Sequence, residues 1–318
     1  MNRERFDPDV YEFYQAALEG PGFAAPFDAA DLPLLRADEI SRHLKSTDPY
    51  EVFSKTDATI EREALPPLPV RVYVPACAAS SAQPVPLLLY FHGGGFIMGS
   101  IEDHDPLCGK LADACQAVVV AVEYRLAPED PFPACIDDAI CAAEWAQTHA
   151  EEYGADPQRL MAGGDSSGAN ISAVLALLGK AGEAPALSQL ILFYGTYGCV
   201  DLEGSVSAQQ FGQGEFVLPL GAMQEMMKLY VPAGTDPGDI RLNPGKAPDL
   251  SGMPPAIVVT AEFDPLRDDG EAFAKRLAES GNAVTYICMD GMMHGFMVYW
   301  QRFRKAEQLL NQIGTMVR

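Results

Sequence analysis

One pentapeptide, Gly164-Asp165-Ser166-Ser167-Gly168, limits the folds open to this chain more than any other feature of its 318 residues. The pattern G-x-S-x-G is typical of a sharp turn between a strand and a helix, with the serine hydroxyl held out at the apex. The flanking residues agree, since an apolar run at residues 160–163 precedes the motif and a helical pattern at residues 167–180 follows it. The motif therefore predicts a strand–turn–helix unit that presents Ser166 as a nucleophile.

Short apolar runs alternate with helical patterns along most of the chain. Eight runs are predicted to be strands, at residues 58–63, 70–74, 86–91, 117–122, 160–163, 189–194, 256–260 and 283–289. Helical patterns separate most of them, at residues 106–114, 134–152, 167–180, 270–280 and 299–316. This alternation predicts an α/β fold, with a mostly parallel eight-stranded sheet and helices on both faces. The first two runs are expected to pair as an antiparallel edge.

Two segments depart from that alternation. Residues 1–50 contain only helical patterns, at residues 10–18 and 34–44, and residues 196–255 form a long connection without a strand. Connections of that length inside a compact domain are usually functional. We therefore expect residues 1–50 and 196–255 to form a helical cap, and residues 51–195 and 256–318 to form the two parts of the catalytic α/β domain.

Composition narrows the function classes. The net charge of −22 argues against nucleic acid and anionic membranes as partners, because both select basic surfaces. The first residues lack the apolar stretch of a secretory signal, and no apolar run approaches the length of a membrane span. Seven scattered cysteines without a C-x-x-C pair favour reduced thiols over disulfides or a zinc site. The expected location is the cytoplasm, with no bound metal.

A serine nucleophile needs a base and an orienting acid. In hydrolases built on G-x-S-x-G the acid and then the histidine follow the serine, and His294 is the only histidine after Ser166. The run at residues 256–260 leads directly to Glu262, Asp264 and Asp268. Asp268 resembles the N-cap of the next helix, because a glutamate follows three residues later. Position favours Asp264 over Glu262 without excluding the latter.

A second motif, His92-Gly93-Gly94-Gly95, follows an apolar run upstream of the serine. It matches the glycine loop whose backbone N–H groups stabilise an oxyanion, and glycine permits the close approach and positive φ that such a loop needs. The N–H of Ser167 is the other expected donor. His92 is interpreted as structural, because His294 already fills the role of the base.

Together these motifs resemble the hormone-sensitive-lipase-like (family IV) esterases of the α/β-hydrolase fold. The resemblance extends over about residues 50–318 and rests on five blocks in the family's order: His92-Gly93-Gly94-Gly95-Phe96, Tyr124-Arg125-Leu126-Ala127-Pro128-Glu129, Gly164-Asp165-Ser166-Ser167-Gly168, Asp264-Pro265-Leu266-Arg267-Asp268 and His294-Gly295-Phe296. Small departures are Ser167, Ala169 and Asp130, where the family usually has alanine, glycine and often histidine.

The resemblance implies specific roles and an activity. It makes Asp264 the acid partner of Ser166 and His294, and it assigns the oxyanion donors to the backbone of Gly94, Gly95 and Ser167. It implies a carboxylesterase for short- to medium-chain esters of small molecules, with no cofactor and a cap above its cleft.

Two other functions fit the same scaffold less well. A peptide or amide hydrolase of this type usually carries a large extra domain, for which the chain has no room. A receptor on an inactive hydrolase scaffold, such as the plant gibberellin receptor, lacks the catalytic histidine that His294 supplies here.

Substrate contacts and assembly follow less directly from the sequence. Aromatic and methionine residues are predicted to line the pocket, foremost Phe96, Tyr197, Phe211, Phe216 and Met292, with Tyr124 and Tyr194 as further candidates. By analogy with related folds, an edge strand at residues 283–289 offers a homodimer contact.

Overall fold

The fold follows from a computed structural model that describes residues 6–18, 29–37, 47–80, 83–214 and 216–317. A helix at Pro8–Leu18 confirms the first helical pattern. Residues 32–37 are also helical, and the rest of the second pattern, residues 38–44, lies outside the described residues.

The described residues form one eight-stranded sheet with the order β1-β2-β4-β3-β5-β6-β7-β8. Its strands are β1 Ser54–Ile60, β2 Leu68–Val74, β3 Val85–Phe91, β4 Val118–Val122, β5 Ala155–Asp165, β6 Gln189–Phe193, β7 Ala256–Phe263 and β8 Val284–Met293. β2 pairs antiparallel with both β1 and β4, and all other neighbours are parallel. The mostly parallel sheet and its antiparallel edge are confirmed.

Helices cover both faces of this sheet. The longer ones are Ile101–Cys115, Ala134–His149, Ser167–Ala181, Leu220–Tyr230, Arg267–Glu279 and Arg304–Met316, with shorter ones at Ala76–Ser80 and Val206–Phe211. Alternate residues of β3 enter two different apolar clusters: Leu87 and Leu89 belong to one, and Leu88 and Tyr90 to the other. All seven residues of β3 are buried, as expected for a central strand between two helical layers.

None of the helices in the described ranges is long and apolar enough to cross a membrane.

Two local predictions change because of a specific side-chain contact. The helix predicted at residues 106–114 starts at Ile101, because the Ser100 hydroxyl accepts a bond from the Asp103 N–H and caps an earlier first turn; Pro106 lies inside the helix. Asp268 is not the N-cap of its helix, which begins at Arg267. One of its carboxylate oxygens instead accepts the backbone N–H of Ser207, at 2.8 Å.

The closing helix Arg304–Met316 packs so closely on the helix Ile101–Cys115 that a Cβ atom at Gly314 would collide with the Ala114 carbonyl. Gly314→Ala is therefore expected to destabilise the protein by about 1–3 kcal/mol, as overpacking does. In an exposed helix the same change would stabilise it by about 1 kcal/mol. Urea unfolding measures the difference, with the neighbouring exposed Thr315→Ala as control. A higher midpoint for Gly314→Ala would contradict the close approach.

Candidate active site

Ser166 occupies a strained turn between β5 and the helix Ser167–Ala181. Its φ of 53° and ψ of −116° lie outside the regions that non-glycine residues usually adopt. A Cβ atom at Gly164 or at Gly168 would collide with the carbonyl of Phe91 on β3. The two motif glycines thus let the turn press against the neighbouring strand, and the strain at Ser166 persists because the surrounding packing determines it.

The two residues predicted to act with Ser166 follow neighbouring strands. Asp264 comes directly after β7 and His294 directly after β8, and the last residues of these strands, Phe263 and Met293, pair in register. Because parallel strands bring their carboxyl ends to the same edge of the sheet, both side chains arrive beside the Ser166 turn.

The structure brings these three side chains into one chain of contacts. His294 Nε2 lies 3.0 Å from Ser166 Oγ, and His294 Nδ1 lies 2.8 Å from Asp264 Oδ2. Asp264 is fully buried, and its Oδ1 accepts the Leu266 N–H at 2.8 Å. A carboxylate only accepts hydrogen bonds, so Nδ1 carries a proton, and in the neutral ring Nε2 is then the acceptor that faces the serine.

The two other candidate acids have different hydrogen-bond partners. Glu262 Oε2 accepts the N–H of Gly291 at 2.9 Å, and Asp268 accepts the N–H of Ser207. Of the three carboxylates that sequence reasoning considered, Asp264 is the one that contacts His294.

The glycine loop lies next to Ser166. Gly94 and Gly95 have φ values of 122° and 62°, which glycine adopts without a steric penalty. Among the described residues, no hydrogen bond uses the backbone N–H of Gly94, Gly95 or Ser167. The loop and the start of the helix Ser167–Ala181 therefore offer backbone donors beside the serine.

A buried carboxylate that sequence reasoning did not single out fixes this loop. Asp165 Oδ1 accepts the Gly93 N–H at 3.0 Å and the Tyr90 hydroxyl at 2.9 Å, and His104 Nε2 lies 3.1 Å away. Burial by itself would raise the pKa of Asp165, but His104 and Tyr90 outweigh it and the pKa is lowered. Its place inside G-x-S-x-G, next to Ser166, was the signal that could have revealed it.

His92 takes a structural position. Its ring stacks on Tyr124 with centroids 4.2 Å apart, and Nδ1 lies 2.8 Å from the Gly93 carbonyl, so Nδ1 carries the proton. Tyr124 in turn donates to the His92 carbonyl at 2.7 Å. Burial, reinforced by His104, lowers the pKa of His92 to about 4. The neutral ring therefore supports the start of the glycine loop.

The Met-rich helix Leu220–Tyr230 covers the glycine loop from the segment predicted as a cap. A Cβ atom at Gly95 would collide with the sulfur of Met226, and Phe96 stacks on Tyr230 with centroids 4.0 Å apart. The Phe132 N–H also donates to the Tyr230 carbonyl, at 2.9 Å.

The structure places the predicted pocket residues in different surroundings. Phe96 lines a cavity of about 530 Å³. Tyr197 is fully buried and stacks on Phe273 at 4.2 Å. Phe211 and Phe216 contact each other edge to face, at 5.1 Å, and Met292 is fully buried. Tyr194 contacts the ring of His294 edge to face, at 4.9 Å.

A second buried carboxylate that sequence reasoning missed lies behind this cavity. Asp269 accepts the backbone N–H groups of four successive residues, Tyr197 to Val200, at 2.5–3.1 Å. Burial raises the pKa of Asp269, against the opposing effect of these four bonds. Asp269 thereby ties the loop after β6 to the helix that follows Asp264.

Within the described residues, no group of three or more metal-ligating side chains converges.

Comparison with known proteins agrees with this geometry. The family model of the alpha/beta hydrolase fold matches residues 88–298. A carboxylesterase of Mycobacterium tuberculosis, NlhH, is 39% identical over 301 residues, which cover 91% of this chain and 89% of that protein.

Two solved structures are also similar over nearly the whole chain. The ester-hydrolase EH1AB1 from the metagenome of Lake Arreo has a TM-score of 0.88 at 33% identity and covers 98% of both chains. The hyperthermophilic esterase of Pyrobaculum calidifontis has a TM-score of 0.88 at 30% identity, covering 98% of this chain and 97% of that one.

Replacing His92 by asparagine is expected to reduce the loss of stability in acid. The pKa of about 4 in the folded protein lies below the ordinary value of 6.5, so below pH 6.5 the unfolded chain binds a proton that the folded protein does not. Above pH 6.5 His92 is neutral in both the folded and the unfolded chain, and the free energy of unfolding is at its full value. As the pH falls from 6.5 towards 4, protonation of the unfolded chain lowers the free energy of unfolding. At roughly 1.4 kcal/mol per pKa unit, wild type should lose about 3 kcal/mol more than His92→Asn over that range.

Urea unfolding at several pH values measures this difference, and His149→Gln controls for the removal of one histidine. Parallel stability curves for wild type and His92→Asn would show that His92 does not resist protonation.

Proposed function

The chain belongs to the hormone-sensitive-lipase-like family of the α/β-hydrolase fold and is a carboxylic ester hydrolase, and on that premise we propose that it cleaves short- to medium-chain esters through an acyl-enzyme on Ser166. The observation that carries this proposal is the contact series from Ser166 Oγ to His294 Nε2 and from His294 Nδ1 to Asp264, at 3.0 and 2.8 Å. In this proposal Ser166 is the nucleophile, His294 the general base and Asp264 the orienting acid.

The acylation half follows from these positions. Ser166 Oγ attacks the ester carbonyl carbon while His294 Nε2 accepts the hydroxyl proton. The carbonyl oxygen becomes an oxyanion that accepts hydrogen bonds from the N–H groups of Gly94, Gly95 and Ser167. When the tetrahedral intermediate collapses, the C–O bond to the alcohol breaks, and the departing oxygen takes the proton from Nε2. The acyl group remains esterified to Ser166.

Deacylation repeats the sequence with water. His294 Nε2 removes a proton from a water molecule, whose oxygen attacks the acyl carbon, and the same N–H donors stabilise the second oxyanion. Collapse returns the proton to Ser166 Oγ and releases the carboxylic acid. Asp264 holds His294 in the required tautomer and stabilises the imidazolium in both halves.

We also propose that residues 1–50 and 196–255 form one cap. Phe6 stacks on Phe216 at 6.0 Å and on Phe263 at 4.1 Å, which ties the N-terminal segment to the insertion and to the end of β7. The Met-rich helix contacts the glycine loop directly.

All seven cysteines are free thiols, which supports a reducing compartment such as the cytoplasm.

Hydrolysis of p-nitrophenyl esters from acetate to palmitate tests the proposal. We expect the highest kcat/KM on short to medium chains and no acyl-enzyme turnover in Ser166→Ala. Asp264→Asn should lower kcat by roughly 10⁴, because asparagine stabilises the wrong tautomer of the base. Glu262→Gln is the matched control, since it also neutralises one carboxylate at the carboxyl end of β7 and should retain activity.

Labelling with a fluorophosphonate probe gives an independent measurement. Wild type should be labelled on Ser166, and Ser166→Ala should not react. Equal loss of activity in Glu262→Gln and Asp264→Asn would contradict the assignment of the acid, and unlabelled, folded wild type would contradict the nucleophile.

A further inference from the structure

A buried histidine that the proposed mechanism does not use lies beside the start of the glycine loop. His104 is the fourth residue of the helix Ile101–Cys115 and is 4% exposed. The centroid of its ring lies 5.6 Å from that of His92 and 6.2 Å from that of Tyr90. The charge state of this ring therefore bears on the residues that lead into the loop.

Both ring nitrogens of His104 face oxygens that act as hydrogen-bond acceptors. Nε2 lies 3.1 Å from Asp165 Oδ1, and Nδ1 lies 3.3 Å from the Ser100 carbonyl oxygen. Asp165 Oδ1 already accepts the Gly93 N–H and the Tyr90 hydroxyl, so it presents lone pairs to the ring. Either neutral tautomer would direct a bare nitrogen at one of these two oxygens, and only an imidazolium places an N–H on both sides.

Three carboxylates near His104 stabilise a positive charge there. Asp165 ends β5, Asp103 precedes His104 on the same helix, and Glu123 follows β4. Asp165 and Asp103 are buried. Burial raises the pKa of Glu123, and His104 opposes that rise. Because the N-terminal end of a helix disfavours a cation, a charged His104 depends on these carboxylates.

The other titratable groups around His104 are neutral. Burial raises the pKa values of Tyr90, Cys108 and Tyr124 well above their ordinary range, so these side chains keep their protons. Burial and the neighbouring His104 lower the pKa of His92 to about 4, so its ring is uncharged. Of the two adjacent histidines, the one that contacts the carboxylate therefore carries the charge.

The contacts of His104 connect the two ends of the glycine loop. At the incoming end, Asp165 accepts the Gly93 N–H at 3.0 Å, and a Cβ atom at Gly93 would collide with the same carboxylate. At the outgoing end, the Ser100 side chain caps the helix, and the Ser100 carbonyl oxygen faces His104 Nδ1. His104 thereby bridges both ends of residues 93–100, the segment that carries two of the proposed oxyanion donors.

We propose that His104 is a buried imidazolium and a positioning residue for ester hydrolysis, because it neutralises Asp165 and holds residues 93–100 where their N–H groups meet the oxyanion. The inference rests on the proposed esterase function and adds to it a residue that acts through Asp165. A buried carboxylate without its counter-charge takes up a proton, and a neutral hydrogen bond is roughly half as strong as a charge-assisted one. Loss of the charge therefore weakens the hold of Asp165 on Gly93.

Nuclear magnetic resonance of protein labelled with ¹⁵N in its histidine rings tests the charge directly. At about pH 7.5, roughly one unit above the ordinary histidine pKa, we expect both ring nitrogens of His104 to be protonated. In the same spectrum His92 should show one bare nitrogen. The His104 signals are identified by their absence from His104→Gln, or by substitution of the other four histidines if that variant does not fold. One bare nitrogen on His104 would overturn the proposal.

Kinetics of His104→Gln test the positioning role, because glutamine removes the charge and keeps an N–H donor. We expect kcat on p-nitrophenyl acetate to fall about 10- to 100-fold, less than the roughly 10²–10³ that loss of a whole oxyanion donor costs, with a much smaller change in KM.

Inhibition by a methyl trifluoromethyl ketone separates this role from a general loss of structure. Ser166 Oγ adds to the ketone carbon, His294 Nε2 takes the hydroxyl proton, and the ketone oxygen becomes an oxyanion that resembles the transition state. Affinity for the ketone should therefore fall by about the same factor as kcat/KM.

His149→Gln is the matched control, since His149 Nδ1 also contacts the carbonyl four residues earlier, that of Trp145, at 2.8 Å. It should keep wild-type kinetics and inhibition. If His104→Gln does not fold, the double variant His104→Gln/Asp165→Asn replaces it, because it leaves no unpaired buried charge, and it should show the same losses.

Wild-type kcat and ketone affinity in the folded His104 variant would overturn the positioning role. Failure of the esterase proposal looks different, because wild type would then hydrolyse no p-nitrophenyl ester, whatever the charge on His104. Failure of the present inference leaves wild-type hydrolysis intact.

Discussion

Close backbone packing around Ser166 is the constraint on which the rest of the site depends. The Phe91 carbonyl of β3 occupies the space that side chains at Gly164 and Gly168 would need. This contact holds Ser166 at a positive φ and brings the glycine loop, which continues from β3, beside the Ser166 turn. Since β3 and β5 are neighbouring parallel strands, one register sets the positions of Ser166 and of the proposed oxyanion donors together.

Three buried aspartates then fix the three loops that surround the turn. Asp165 holds the glycine loop through Gly93, Asp264 holds its own loop through Leu266 and contacts His294, and Asp269 holds the loop after β6 through four backbone N–H groups. Burying a carboxylate is costly, and charge-assisted hydrogen bonds to backbone N–H groups offset that cost. Each loop is thereby rigid where preorganised donors and acceptors are needed.

Much of this arrangement could be predicted from local pattern. Every strand run overlaps an observed strand, but β1 and β5 begin four and five residues earlier than predicted, because residues 54–57 and 156–159 carry no apolar signal. The helix predicted at residues 106–114 begins five residues earlier for a different reason, since the Ser100 side chain caps it at Ile101 and Pro106 is accommodated inside the helix. Asp165 and Asp269 were missed because their partners are distant in sequence, at Gly93 and at residues 197–200.

The sequence by itself determined the fold class, the strand–turn–helix at Ser166 and the identity of the histidine, because these depend on periodicity, glycine chemistry and the order of a few residues. Residue position left Glu262, Asp264 and Asp268 as candidate acids, and only the tertiary structure shows which of them contacts His294. It likewise separates Phe96, which lines the cavity, from Tyr197, which packs on Phe273. Both decisions depend on side chains that meet across strands, and local sequence carries no record of such contacts.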